Sequence, residues 1–175
     1  MCIEKVNSLR KTNYSSVNNE PGFYRFWFEE NVAQQLLSKL LVVGTYRIEK
    51  RTINDTCYWA LYFGISKNLK DRAKWHISQK HTASAIKHGT ISTLRHTLSA
   101  LLDKDLSRSE NDLNSFMDAY CYFEWDYAKL DDAEELEKKK LSNAQSVYPL
   151  NIKDNKIFAK DVKSILHKLR KEHKR

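Results

Sequence analysis

An arginine and a histidine, four residues apart, follow closely on a tyrosine and a glycine in the middle of the chain. These residues are Tyr62, Gly64, Arg72 and His76. Residues four apart are neighbours on one face of a helix. A guanidinium group can hold phosphate oxygens, and an imidazole can accept a proton or orient a hydroxyl group. The cluster therefore has the side chains needed to grip and hydrolyse a phosphodiester.

Local patterns place these residues on a strand, a turn and a helix. Residues 59–63 form an apolar, largely aromatic run that is typical of a strand, and Gly64 ends it. Ser66 or Asn68 can cap the N-terminus of a following helix, which we expect to run from Asn68 to about Gln79. Its apolar face is marked by residues that recur every four positions: Leu69, Ala73 and Ile77.

The stretch 62–76 resembles the second half of the GIY-YIG nuclease motif, Tyr-x-Gly-x-Ser-x-x-Leu-x-x-Arg-x-x-x-His, and matches it at every specified position. Residues 22–24 resemble the first half, with Phe23 in place of isoleucine. The family's later glutamate and asparagine have counterparts in Glu137 and Asn151. The resemblance covers about residues 21–152 and implies a metal-dependent nuclease.

The resemblance also implies a role for each matched side chain. Tyr24 is expected to be the general base that activates water, with its phenol polarised by His76 and by metal-bound groups. Tyr62 is expected to help position the phosphate, and Arg72 to hold it and offset charge that builds in the transition state. Because a phenol with a pKa near 10 is a weak base at neutral pH, nearby positive charge must lower that pKa. Arg72, a metal ion and Lys67 are the expected sources.

Glu137 is the expected metal ligand. It lies at helical spacing from Ala133 and Leu141, on the side of a predicted helix that should face the core. A buried carboxylate needs a partner, and Mg²⁺ takes one or two protein carboxylates plus waters and phosphate oxygens. We therefore expect Mg²⁺ or Mn²⁺, and the structural alternative is an intrahelical ion pair of Glu137 with Lys140 or Lys138. The family's spacing from glutamate to asparagine is slightly shorter, which keeps two further carboxylates as candidates: Glu134 and Glu135.

The other candidates have ordinary structural alternatives too. Arg72 could pair with Asp71 on the surface, and both tyrosines could be core aromatics with one hydrogen bond each. His76 could be a structural histidine on its helix. Asn151, shortly after Pro149, could be a turn asparagine, or it could bond the active-site backbone or a substrate oxygen.

The remaining patterns predict an α+β domain with a small antiparallel sheet, of about three strands or slightly more, surrounded by helices. A strand at 23–28, a helix at 30–41 and strands at 42–50 and 57–63 come first. Later elements are helices that start near residues 89 and 109, a strand at 119–125 and a helix at about 132–145.

An insertion at about residues 29–56 separates the two motif tyrosines by 38 positions. The family usually joins its two tyrosine elements by a short hairpin, so Tyr46 is an alternative to Tyr24 as the first tyrosine. Residues 1–20 are expected to be a polar N-terminal arm ahead of the nuclease domain at 21–152. Residues 153–175 are expected to form a basic C-terminal helix, packed on the same domain by apolar residues at helical spacing: Val162, Ile165, Leu166 and Leu169.

The charge favours an anionic partner, nucleic acid first. The chain has 30 Lys and Arg against 22 Asp and Glu, and its tail from residue 153 carries a net charge of +6. Basic zones of this kind contact phosphates with salt-dependent, largely sequence-blind affinity, although a solvated basic surface is the alternative. The predicted contacts are Lys67, Lys70, Lys74, Lys80, Lys87 and Arg95.

We therefore expect a divalent-metal-dependent endonuclease acting on double-stranded DNA, of restriction or other stand-alone type, and a possible homodimer if both strands are cut symmetrically. The alternatives are a non-catalytic nucleic-acid-binding module with the same fold and an RNA-directed nuclease. Three scattered cysteines give no zinc-site spacing, and the sequence has no membrane-spanning run or signal-peptide core. A cytoplasmic location is expected.

Overall fold

The computed structural model describes residues 1–40, 47–142, 147–151 and 160–174, with the backbone alone for 160–162. Its strands are β1 (Cys2–Lys5), β2 (Gly22–Glu29), β3 (Lys50–Ile53), β4 (Thr56–Ser66) and β5 (Cys121–Tyr127). Its helices are α1 (Val6–Lys11), α2 (Glu30–Ser38), α3 (Leu69–Ser78), α4 (Ala83–Lys87), α5 (Thr93–Leu101), α6 (Glu110–Tyr120), α7 (Leu130–Ser142) and α8 (Lys160–Glu172).

Within these ranges the strands form one five-stranded antiparallel sheet in the order β1-β5-β2-β4-β3. The α+β class predicted from sequence is confirmed, with five strands where about three were expected. Strand β2 lies at the centre because its aromatic residues can be buried on both faces of the sheet. Across its two neighbours, Tyr24 is paired with Gly64 of β4 and with Trp125 of β5.

A β-bulge in β4 decides which side chains share a face of the sheet. Tyr62 pairs with Phe26 and Ala60 pairs with Trp27, which leaves Leu61 as the extra residue between them. Because of this insertion Leu61 and Tyr62 both lie with the larger core, which also contains Tyr24. Ala60 lies with a smaller apolar cluster on the other face.

The helices divide between the two faces. Buried residues of α1, α2, α3, α5, α6 and α8 belong to the larger core. Helix α7 packs against β4 and β2 and contributes Leu141 to the smaller cluster. The two faces therefore carry separate parts of the predicted site, with His76 on the α3 side and Glu137 on α7. No helix among the described residues is long and apolar enough to cross a membrane.

The prediction that residues 1–20 form a polar N-terminal arm is wrong, because these residues are part of the packed fold. Strand β1 pairs with β5, and Val6 and Leu9 of α1 are completely buried. Tyr14 and Val17 are buried as well. A few apolar residues spaced through a polar segment were enough to anchor it, although they form no long periodic pattern.

Other boundaries differ by a few residues or fall outside the described ranges. Helix α2 ends at Ser38, and β3 begins at Lys50. Residues 42–46 of the predicted strand, and the alternative tyrosine Tyr46, lie outside the described residues. Helix α8 contacts α5, and its Leu166 is buried in the larger core.

Candidate active site

A cavity of about 220 Å³ lies where β4 extends beyond its short neighbour β3. Strand β3 pairs only with residues 56–59, so the rest of that edge of β4 is open to other partners. Side chains from both faces of the sheet meet there. Five of the six predicted catalytic residues line the cavity: Tyr24, Tyr62, Arg72, Glu137 and Asn151.

The sixth, His76, lies behind Tyr24 and is completely buried. Its Nε2 is 2.7 Å from the Tyr24 hydroxyl, and its Nδ1 is 2.7 Å from Ser92 Oγ. Ser92 caps α5 by accepting the Arg95 backbone N–H at 3.3 Å. A hydrogen-bonded chain therefore runs from the cavity through Tyr24 and His76 to Ser92. With Nδ1 protonated toward Ser92, Nε2 is the acceptor for the phenol proton of Tyr24.

Burial keeps both members of the Tyr24–His76 pair neutral at pH 7. It raises the pKa of Tyr24 well above 10.0, and the neighbouring phenol of Tyr62 adds to this while Arg72 opposes it. Burial also lowers the pKa of His76 well below 6.5, and the charges of Arg72 and Arg95 lower it further. Arg72 lowers the pKa of the Tyr24 phenol, but burial outweighs it, so the net shift is opposite to the lowering expected from sequence.

Gly64 leaves the space that the Tyr24 ring occupies. A Cβ atom at position 64 would lie 2.5 Å from the Tyr24 hydroxyl oxygen and 2.6 Å from its Cζ. Gly22 has a similar role at the start of β2, since a Cβ there would lie 2.1 Å from the Asp126 carbonyl oxygen. Both glycines of the motif are therefore explained by close packing around β2.

Tyr62 lies beside Tyr24 with the two rings stacked at a centroid distance of 6.3 Å. Burial raises the pKa of Tyr62, while Arg72, a hydrogen bond with Tyr24 and Arg170 oppose that rise. The guanidinium of Arg72 stacks on the indole of Trp75, with its Cζ 4.8 Å from the ring centroid. This contact holds the arginine at the cavity, where its charge reaches both phenols.

Glu137 reaches the cavity from α7, on the opposite face of the sheet. It is half-buried, and its charge raises the pKa of both Tyr24 and Tyr62. By contrast Glu134 and Glu135 are exposed and do not line the cavity. Across the described ranges there is no group of three or more His, Cys, Asp or Glu side chains that could hold a metal. A single carboxylate beside phenol oxygens is a hard-oxygen donor set, which fits a Mg²⁺ ion that keeps most of its waters.

Asn151 completes the open edge of β4 in place of a strand. Its Oδ1 accepts the Phe63 N–H at 2.9 Å, and its Nδ2 donates to the Phe63 carbonyl at 2.7 Å. Beside it the Leu150 N–H donates to the Leu61 carbonyl at 2.9 Å. Of the three possibilities for Asn151 (a turn residue, a bond to the backbone beside the cavity or a bond to a substrate oxygen), the geometry corresponds to the backbone bond.

A partly buried ionic contact holds this segment and α7 against the sheet. Arg25 of β2 donates to Glu49 Oε1 at 2.9 Å, and the Tyr148 hydroxyl donates to Glu49 Oε2 at 2.9 Å. Lys140 of α7 lies 3.9 Å from the same carboxylate. The segment that carries Asn151 and the helix that carries Glu137 are therefore fixed to β2 through one carboxylate.

The prediction of Arg95 as a nucleic-acid contact is wrong. Its side chain is completely buried and donates to His81 Nε2 at 2.9 Å, to the Ile77 carbonyl at 2.8 Å and to Asn114 Oδ1 at 3.1 Å. The physical reason is that α5 is covered by α3 and α6 and also by α8, so it has little solvent-facing surface. Burial lowers the pKa of Arg95 to about 10. The predicted lysines are exposed or half-buried: Lys67, Lys70, Lys74, Lys80 and Lys87.

Sequence reasoning missed several residues around the cavity. Ser92 and Thr93 start α5, and Thr93 lines the cavity. Arg170 of α8 is held by His96, whose Nε2 donates to the Arg170 carbonyl at 3.0 Å and whose Nδ1 accepts from Arg170 Nη2 at 3.1 Å. The apolar pattern of α5 and a serine ahead of it were signals for the Ser92 cap, but nothing local indicated the pairing with α8.

Comparison with known proteins identifies a family. A family model described as GIY-YIG catalytic domain matches residues 22–172. This range includes β2 with its glycine and tyrosine, the stretch 62–76, Glu137 and Asn151. No curated protein and no solved structure matches the chain.

Proposed function

The chain belongs to the GIY-YIG catalytic-domain family, whose function is of nuclease type, and from this we propose that it is a divalent-metal-dependent DNA endonuclease. One observation carries the proposal beyond family membership. Tyr24, Tyr62, Arg72 and Glu137 come from both faces of the sheet and line one cavity at the open edge of β4. A restriction-like role, a homodimer for symmetric double-strand cutting and a cytoplasmic location are part of the proposal.

In this proposal Arg72 binds the phosphate. Its guanidinium presents paired donors to the non-bridging oxygens, and its positive charge stabilises the negative charge that grows on them in the transition state. The stack on Trp75 limits the conformations open to the arginine, so less order is lost on binding. The Tyr62 hydroxyl is a second donor at the same cavity.

Tyr24 then serves as the base through its hydrogen bond to His76. Water gives a proton to the Tyr24 oxygen as the phenol proton passes to His76 Nε2, and the water oxygen attacks phosphorus. The P–O bond to the leaving oxygen breaks, that oxygen takes a proton from solvent, and His76 returns its extra proton to solvent by the reverse path through Tyr24. Burial disfavours a free phenolate, so a concerted transfer through Tyr24 is favoured, and burial also disfavours the imidazolium, so His76 should lose its proton readily.

Glu137 is the residue that would hold Mg²⁺ or Mn²⁺ at this cavity. When bound, such an ion supplies positive charge that offsets the phosphate and lowers the pKa of nearby phenols. The chain provides one carboxylate there, and waters and phosphate oxygens complete the shell. The lysines of α3 and its flanks, among them Lys67, Lys70 and Lys74, would contact the DNA backbone on either side.

The test is the nicking of supercoiled plasmid with Mg²⁺ or with EDTA, by the wild-type protein, Arg72→Ala and Arg72→Lys. We expect metal-dependent nicking by wild type, a loss of about 100-fold or more in Arg72→Ala, and partial recovery in Arg72→Lys, which restores charge without the paired donors. Salt-sensitive DNA binding by wild type without any nicking, across plasmids of varied sequence, would instead support the non-catalytic binding module.

A further inference from the structure

A second, larger cavity of about 630 Å³ adjoins the first. It is lined by Ser66, Lys67, Asn68, Asp71, Arg72 and Trp75. Arg72 and Trp75 border both cavities. A group bound in the second cavity would therefore lie next to whatever Arg72 holds in the first.

Trp75 differs from the other tryptophans in its exposure. Trp27, Trp59 and Trp125 are buried, whereas Trp75 is only partly buried. Its indole N–H donates to the Thr90 carbonyl at 3.4 Å. The Arg72 guanidinium stacks on the ring, so the indole is fixed before any ligand arrives.

The lining of this cavity suits a flat, uncharged group better than a phosphate. Its one carboxylate, Asp71, accepts a hydrogen bond from Asn68 Nδ2 at 2.8 Å and offsets one of the two cations in the lining, Lys67 and Arg72, while the indole of Trp75 supplies a flat apolar surface. An aromatic ring with an arginine plane beside it is the arrangement on which proteins stack unpaired nucleobases. The side chains of Ser66 and Asn68 are engaged in hydrogen bonds at the start of α3, so the exposed ammonium of Lys67 is the donor that can reach the edge of such a base.

We propose that this cavity takes one unpaired DNA base, stacked on Trp75, from a nucleotide adjacent to the scissile phosphate. The inference rests on the proposed function, because Arg72 places the cavity beside the reacting phosphate. Pulling a base out of a duplex costs free energy that stacking on one ring only partly offsets. The protein should therefore bind DNA with an unpaired nucleotide more tightly than the fully paired duplex.

The experiment measures tryptophan fluorescence and Kd in EDTA, so that no cutting occurs, with a single-stranded oligothymidylate and with an abasic strand of the same length. Oligothymidylate should quench the tryptophan fluorescence of the wild-type protein, whereas the abasic strand should bind without quenching it. Trp75→Leu should lose the quenching, and it should weaken the binding of oligothymidylate about tenfold more than it weakens the binding of the abasic strand, which keeps only the contribution of the Arg72 stack. Trp59→Phe, which alters a buried tryptophan, should keep the quenching.

If Trp75→Leu weakened the binding of both strands equally, Trp75 would only position Arg72, and this result would overturn the proposal. Absence of quenching in wild type would overturn it as well. Because the assay contains no metal, cutting of plasmid without quenching would leave the nuclease function standing and remove the base site alone. Quenching by oligothymidylate without any cutting of plasmid under Mg²⁺ would leave the base site standing and overturn the nuclease function.

Discussion

At the scale of single residues, the proposed chemistry depends on a buried pair of side chains, Tyr24 and His76, that are both neutral before substrate binds. Tyr24 and His76 share a 2.7 Å hydrogen bond, and burial moves their pKa values in opposite directions, each away from the charged form. A phenol in this environment is a poor base by itself. It becomes useful only when its proton has an acceptor and when positive charge arrives with the substrate, which is what Arg72 and a metal at Glu137 would supply.

The lowered pKa of His76 makes the stability of the protein depend on pH. The unfolded chain binds a proton at His76 near pH 6.5 and the folded chain does so only at lower pH, so the free energy of unfolding should fall as pH drops below about 6.5. His96, with a pKa lowered to about 4 mainly by burial, acts in the same direction. Urea unfolding at pH 7.5 and pH 5.5 measures the effect.

His76→Gln should reduce the pH dependence of the free energy of unfolding by up to about 1.4 kcal/mol per pH unit, because one proton fewer is taken up on unfolding. The variant keeps side-chain groups that can bond to Tyr24 and Ser92. An unchanged slope between pH 7.5 and 5.5 in His76→Gln would show that His76 is not held neutral by the fold.

At the scale of elements, the strand, turn and helix of residues 62–76 were predictable because their signals are local. Asn68 caps α3 by accepting the Asp71 N–H at 3.1 Å, and Leu69, Ala73 and Ile77 are completely buried, as their spacing indicates. Strand β1 was not predicted, since four residues with no buried side chain carry no periodic signal and depend on pairing with the distant β5. Pairing between distant segments cannot be read from one sequence.

The Asn151 side chain stands in for a strand at the edge of β4, and this gives a stability prediction. Asn151→Ala leaves the Phe63 N–H and carbonyl without the bonds that they make to the amide, so the free energy of unfolding should fall by about 1–3 kcal/mol. Asn111→Ala, at an exposed position in α6, is the matched control and should change it by less than about 0.5 kcal/mol. Equal values in urea unfolding for the two variants would contradict this account of Asn151.

At the scale of the whole molecule, the site exists because two layers meet at one unpaired edge. The α3 side brings Arg72 and His76, the α7 side brings Glu137, and β4 lies between them with its bulge at Leu61. The motif residues could be predicted from sequence. The sequence did not predict that helices from the two faces of the sheet meet at this edge of β4. The burial of Arg95 also depends on contacts between distant segments, because its side chain is enclosed between the end of α3 and α6.

Net charge acts at this scale as well. The chain carries a net charge of +8, and the predicted lysines on α3 and its flanks are exposed or half-buried. Charge of this sign raises the association rate with DNA and makes binding salt-dependent, but it provides no chemistry. The distinction between a binding module and a nuclease therefore depends on the cavity, and above all on the carboxylate that α7 brings to it.

The most direct measurement compares metal-dependent nicking of supercoiled plasmid by wild type, Glu137→Gln and Glu134→Gln over a titration of Mg²⁺. Both substitutions remove one carboxylate from α7, but only Glu137 lines the cavity. We predict that Glu137→Gln loses nicking by about 100-fold or more while it keeps its DNA affinity, and that Glu134→Gln cuts like wild type. Full activity in Glu137→Gln, or an equal loss in both variants, would contradict the assignment of this cavity as the metal-dependent active site.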